Sequence, residues 1–203
     1  MESFLCLASE GLTLRSTGRA GSSPLLRERR AGTPVTLLVR PHMRVQAAQV
    51  SLREITSETV RKVIELSVAE SQKCFVAPNA VSLAQALFAP EAWYRAVYFS
   101  DELAGFVMLA DESLRSPPPK VPMVGLWRFM IDASFQGRGI GTAAMMRVIE
   151  HVRAKGLFAS LELSYVPGPG CPEAFYLGLG FRHTGRIEEN EIVLELPLQE
   201  NAA

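Results

Sequence analysis

Gln136-Gly137-Arg138-Gly139-Ile140-Gly141 decides the reading of this chain, because of what lies on either side of it. Before it runs the apolar stretch Leu126-Trp127-Arg128-Phe129-Met130-Ile131-Asp132, and after it a helix-patterned run from Thr142 to Lys155. The order is strand, glycine-rich turn, helix. A turn free of bulky side chains lets a helix N-terminus present several backbone N–H groups to one anion, and the helix dipole adds to the attraction. The first reading is a phosphate cradle built from the N–H groups of Gly137 to Thr142.

Working outward, the stretch from Val124 to Asp132 is apolar on both faces. Val124, Leu126 and Met130 fall on one and Trp127, Phe129 and Ile131 on the other, as in a central strand covered by helices. In the following helix Met145, Val148, Ile149 and Val152 form the apolar face, His151 falls on the polar one, and Gly156 supplies a left-handed stop. Upstream, Arg95–Phe99 and Leu103–Ala110 flank Ser100-Asp101-Glu102, the pattern of an antiparallel hairpin, and residues 111–122 hold four prolines and read as a loop. Further upstream, Val50, Leu52 and Ile55 suggest a strand, and a helix begins near Thr56-Ser57-Glu58. A second helix lies between Pro78 and Ala89, with Val81, Leu83, Ala84, Leu87 and Phe88 at helical spacing. Downstream, Ala159–Tyr165 alternates as a strand, and Pro172 opens a short helix through Leu177. A last hairpin runs from Phe181 to Arg186 and returns from Ile192 to Leu196.

Composition bounds the rest. At 203 residues and 48% hydrophobic content, the chain suits one α/β domain. Its formal charge is zero, but unevenly spread. Residues 1–44 hold seven Arg, no Lys and three Glu, a net +4, and the remainder holds 14 basic and 18 acidic side chains, a net −4. The acidic body gives no electrostatic reason to expect nucleic acid or an anionic membrane, and favours a cationic substrate. Residues 1–44, rich in Arg, Ser and Gly, read as a disordered extension ahead of a domain over 45–203. A transit peptide, or a start at Met43, are the other readings. Cys6, Cys74 and Cys171 form no CxxC pair, so neither a disulfide framework nor a metal site is expected, and a reducing cytoplasm is. No run reaches the length of a membrane span.

These residues resemble the GCN5-related N-acetyltransferase (GNAT) superfamily, whose motif is met by Gln136, Gly139 and Gly141 in the context of hairpin, central strand, motif helix, strand, and a short helix with Phe175-Tyr176 before Leu179-Gly180-Phe181. Within it the chain is similar to bacterial diamine acetyltransferases acting on spermidine and spermine, through Ser71-Gln72, Gly105-Phe106-Val107-Met108, Arg128 to Asp132 with Phe135-Gln136-Gly137, and Phe181 to Gly185. The resemblance implies a mixed, largely antiparallel central sheet with a parallel pair at the cofactor site, flanked by helices. It also implies acetyl-CoA as cosubstrate, a small-molecule amine as acceptor, a polyamine or diamine first with a protein or peptide amine or another small amine as the alternatives, and direct attack in a ternary complex, and it allows a homodimer.

Each demand of acetyl transfer has a candidate. The pyrophosphate would take the N–H groups of the cradle, Gln136 to Thr142. The pantetheine arm would pair with the backbone of Phe129, Met130 and Ile131, one N–H of which could serve the tetrahedral oxyanion. Tyr176 stands where the family places its general acid, and a phenol stays protonated at neutral pH and can lend a proton to a thiolate; packing of Phe175-Tyr176 between helix and sheet is the other reading. Cys171 is a candidate contact to the arm, with a plain helix-cap role as the other reading.

The attacking amine must lose a proton, its ammonium having a pKa of about 10.4. The acidic residue that several polyamine acetyltransferases carry on the central strand is replaced here by Trp127. Glu70, Asp111 and Asp132 remain as candidate bases, Glu70 first, with a solvated or structural carboxylate the other reading of each. Glu70, Trp93, Asp111 and Trp127 are the acceptor-site candidates, with core packing the alternative for Trp93.

Two rivals share these residues. Gly139-Ile140-Gly141-Thr142-Ala143-Ala144 also fits a dinucleotide fingerprint with Glu162 downstream, but that needs parallel βαβ units and the motif here follows an antiparallel hairpin. A P-loop is excluded, since no Gly-Lys-Ser/Thr follows the turn. The other rival is a non-catalytic acetyl-CoA-binding module, motivated by Trp127.

Overall fold

A computed structural model describes residues 49–199, so the expectation for the first 44 residues lies outside the described part. Among the described residues seven strands form one sheet: β1 (Val50–Arg53), β2 (Ala92–Phe99), β3 (Glu102–Asp111), β4 (Val124–Ile131), β5 (Ser160–Tyr165), β6 (Arg182–Glu188) and β7 (Glu191–Pro197). Their order across the sheet is β1-β2-β3-β4-β5-β7-β6. Every pairing is antiparallel except β4 with β5. Four helices of the described residues cover it: α1 (Val60–Glu65), α2 (Asn79–Ala86), α3 (Ile140–Lys155) and α4 (Glu173–Gly178). Among the described residues no helix is long and apolar enough to cross a membrane.

The two faces of the sheet carry separate cores. On one, α3 and α4 pack Ile140, Met145, Val148, Ile149, Val152 and Tyr176 against Val107, Leu109, Leu126, Ile131, Leu161 and Leu163. On the other, α1 and α2 cover Ala96, Phe106, Met108 and Met130, with Val63 fully buried. The tight turns of both hairpins fall where the sequence put them, with Ser100 at φ 54° and with Glu189 and Asn190 at 49° and 70°.

Three expectations are corrected. First, β4 does not alternate strictly. Opposite β3, Met108 faces Arg128 and Leu109 faces Leu126, so Trp127 is an extra residue, a β-bulge. Beyond it the faces exchange: Val124, Leu126, Phe129 and Ile131 join the α3 core, while Trp127 and Met130 join the α1/α2 core. Second, α2 ends at Ala86, and Val81, Leu87 and Phe88 are exposed rather than packed. Its fully buried residues are Asn79 and Ser82, with Leu83 and Ala86 packed beside them against the α1/α2 core. The Asn79 amide donates to Val63 O at 2.8 Å, satisfying a carbonyl in the last turn of α1. Third, His151 is not on a solvated face. Its ring stacks on Trp93 at 4.2 Å between centroids, and its Nε2 is buried without a hydrogen-bond partner.

Candidate functional site

Strands β4 and β5 pair only at Val124 with Leu161 and Gly125 with Glu162. Beyond those two rungs they diverge, and the wedge between them is a cavity of about 440 Å3. One wall is Leu126 to Ile131 of β4, the other Leu163 to Val166 from β5, and the glycine turn and α4 close the sides through Gly137, Gly139, Gly141, Thr142, Phe175 and Tyr176. The edge of β4 facing away from β3 thus borders open space, leaving main-chain polar groups available to an extended ligand.

Local chemistry fixes the turn. Asp132 ends β4 and caps the short 3-10 turn Ala133–Phe135, accepting from Ser134 N–H at 3.0 Å and Ser134 Oγ at 2.6 Å. Its other oxygen accepts from Ser67 N–H at 2.9 Å, tying down the segment after α1. Burial pushes the Asp132 carboxyl up, but these three hydrogen bonds outweigh it and hold the pKa below the usual value. Asp132 is therefore committed to structure rather than standing ready as a base.

Gly137 and Gly139 then take φ of 69° and 81°, and a Cβ at either would meet nothing within 4 Å. Glycine serves the backbone conformation here, and the empty space in front of it is what an anion needs. The first N–H groups of a helix lack intrahelical acceptors, and those of α3 begin at this opening. Residues Gly137 to Thr142 therefore fit a pyrophosphate. Arg138 directs its guanidinium over the rings of Phe99 and Phe135, at 5.0 and 5.3 Å, and Ile140 is buried under the turn. The Gln136 amide donates to Ile131 O and to the Gln72 side chain, both at 2.8 Å.

Tyr176 is 8% exposed, and its ring is held edge-on by Phe175 and Phe181 at 5.1 and 5.7 Å. It lines the cavity, as do Cys171, Phe129, Met130 and Trp127. The structure does not bring the other acceptor candidates there. The Glu70 carboxylate is in solvent, paired with Lys73 at 2.6 Å. Asp111 is 1% exposed and bonded to Lys155, at the end of α3 opposite the glycine turn, roughly 20 Å along the helix axis. Trp93 lies in that same region, between His151 and the Arg95 guanidinium, so both residues serve the α3 core.

Three groups at the cavity had not been singled out from sequence. Tyr165 donates to Glu173 at 2.6 Å, and burial, then this bond, pushes the phenol well above its ordinary pKa. Its proton is engaged by that carboxylate. Ser164 lines the cavity and donates to the carboxylate of Glu191. Arg128, 2% exposed, donates to Trp127 O at 2.8 Å and the Gln85 side chain at 3.3 Å. The polar alternation Ser160, Glu162, Ser164 against Leu161, Leu163, Tyr165 was the available signal for Ser164. Nothing local marked Glu191 as its partner.

Comparison with known proteins agrees with this geometry. The family model described as Acetyltransferase (GNAT) family matches residues 59–181, more than half of the chain. Among curated relatives, the spermine/spermidine N(1)-acetyltransferase of Bacillus subtilis strain 168 is 24% identical over 143 residues, covering 70% of this chain and 93% of its own. Among solved structures, the ribosomal-protein-S18-alanine N-acetyltransferase of Escherichia coli superposes with a TM-score of 0.53 at 15% identity, covering 75% of this chain and 96% of its own. The PaiA N-acetyltransferase of Thermoplasma acidophilum, solved in complex with coenzyme A, gives 0.53 at 13% identity, with coverage of 73% and 98%.

Proposed function

The chain belongs to the GNAT family of acetyltransferases, and from that premise we propose that it transfers an acetyl group from acetyl-CoA to the primary amine of a polyamine or diamine. The observation that carries the reading is the cavity opened by the parting of β4 and β5, with the glycine turn at one side and Tyr176 in its wall.

In this reading the N–H groups from Gly137 to Thr142 hold the pyrophosphate, and Arg138 can swing from its aromatic neighbours toward a phosphate. The free edge of Phe129, Met130 and Ile131 pairs with the pantetheine arm, Cys171 borders it, and one N–H of that edge stabilises the oxyanion. Neutral amine attacks the thioester carbonyl directly, and the tetrahedral intermediate collapses as Tyr176 gives its proton to the departing sulfur. No covalent enzyme intermediate is involved. The acceptor enters beside Trp127, whose indole can hold a cation against its face. The polyamine choice is supported by the acidic body of the chain and by the spermine/spermidine relative.

A second reading has one observation in its favour. Arg128 lines the same cavity, and a buried guanidinium suits an acceptor that carries a carboxylate near its amine. Thiol release measured over spermidine, spermine, short diamines, amino acids and N-terminal peptides separates the two. Polyamines should give the highest kcat/KM. Preference for amino acids would replace the polyamine reading, and acetyl-CoA binding without turnover of any amine would end the transfer reading.

A further inference from the structure

The reaction needs a group that takes a proton from the incoming ammonium, and the three carboxylates expected from sequence are committed elsewhere, to Lys73, to Lys155 and to the cap after β4. Side chains of a strand alternate between faces. On β5, Leu161, Leu163 and Tyr165 join the α3 core, and on β7, Ile192 and Leu194 do the same. Ser164 and Glu191 accordingly face the other side of the sheet, the side on which Trp127 packs. Ser164 Oγ donates to Glu191 Oε2, Glu191 is 4% exposed, and Ser164 stands in the cavity wall opposite β4. A carboxylate reached from the cavity through one hydroxyl is thus built into that wall.

We propose that Ser164 and Glu191 form the proton-accepting pair for the acceptor amine, Ser164 touching the ammonium and Glu191 acting through it. The inference rests on the acetyl-transfer reading above. The N–H bond of the ammonium breaks as its proton passes to Ser164 Oγ, while the Ser164 hydroxyl proton passes to the Glu191 carboxylate. This leaves a neutral amine, an unchanged serine and a carboxylic acid. After attack, Tyr176 gives its proton to the departing thiolate, the nitrogen's second proton passes to the Tyr176 phenolate and restores the phenol, and Glu191 returns its proton to solvent between turnovers. A carboxylate buried beside a hydroxyl also favours an ammonium over a neutral ligand, so the pair recognises the charged form and then discharges it.

The test compares wild type, Ser164→Ala and Glu191→Gln, with Glu191→Asp as the conservative variant, on the best amine of the panel, across pH 7 to pH 10. Both substitutions should lower amine kcat/KM at pH 7 by about 100-fold, in the range of a lost acid–base group. The deficit should shrink as pH approaches the amine's own pKa, and the KM for acetyl-CoA should not move. Glu191→Asp should recover part of the loss. If Glu191→Gln does not fold, Ser164→Ala, which leaves the buried carboxylate in place, carries the test alone. A deficit constant with pH, or none at all, overturns the pair while leaving acetyl transfer standing. Wild type inactive on every amine overturns the transfer reading, and the pair with it.

Discussion

The Gln136 amide donates to the Gln72 side chain at 2.8 Å, joining the glycine turn to the 3-10 segment Glu70–Gln72 that lies between α1 and α2. The same amide donates to Ile131 O, so one side chain spans the end of β4, the turn and the opposite lip of the cavity. A net side-chain hydrogen bond contributes about 1 kcal/mol, roughly fivefold in an equilibrium constant. Gln136→Ala should weaken coenzyme A binding by about that factor in calorimetry, and Gln72→Ala should do less. The double variant should bind no worse than Gln136→Ala, because both changes remove the shared bond. Additive losses would show that the two glutamines act separately.

Gly139 sits at φ 81° in front of open space. Gly139→Glu would strain the backbone there and place a carboxylate where the proposed reading puts the pyrophosphate. Coenzyme A affinity should fall by more than 100-fold, with a thermal midpoint only a few degrees lower, by analogy with a strained positive-φ residue of about 1 kcal/mol. Unchanged affinity would move the phosphate site elsewhere.

Tyr176→Phe keeps the edge-on contacts with Phe175 and Phe181 and removes only the hydroxyl. The fold should survive, and kcat should drop at least about 100-fold with coenzyme A affinity intact. A change within about twofold would remove Tyr176 from the acid role.

Asp111 and Lys155 form an ion pair whose carboxylate is almost fully enclosed. Breaking such a pair on one side costs about 3 kcal/mol. Asp111→Asn should lower stability by that order in urea denaturation while leaving both KM values alone, and a raised amine KM would return Asp111 to the acceptor site.

Burial, followed by the charges of Lys155 and Arg95, holds the His151 imidazole below its ordinary pKa, with Asp111 opposing. The unfolded chain, with histidine near about 6.5, then binds a proton in a window just below that pH where the folded chain does not. Stability should therefore fall as pH drops through it. His151→Phe retains the stack on Trp93 and cannot titrate. Urea midpoints at pH 7.5 and pH 5.5 should differ less for this variant than for wild type, and equal differences would mean that other groups set the slope.

Much of this was legible in the chain because the signals are local. Gly139 and Gly156 mark both ends of α3, and the pattern on either side of Ser100-Asp101 gives the hairpin without knowledge of anything distant. The bulge was hidden for a physical reason: with apolar residues on both faces of β4, adding Trp127 changes which side each residue serves without changing the pattern. The exposed Leu87 and Phe88 misled for the opposite reason, since α2 ends at Ala86 and its most deeply buried positions are the polar Asn79 and Ser82. Trp93 with His151, and Ser164 with Glu191, are contacts across long stretches of chain, and spacing carries no information about them.

With only two rungs joining β4 to β5, the sheet is two blocks sharing a short seam. An isolated sheet of this kind is unfinished, because main-chain donors and acceptors in its middle face a gap instead of a neighbour. In the proposed reading the acyl donor is a removable eighth strand, and the architecture reaches completion only during turnover. Heat resistance, protease resistance and amide-exchange protection along Phe129 to Ile131 should all rise together when coenzyme A is added, as one transition of the whole sheet.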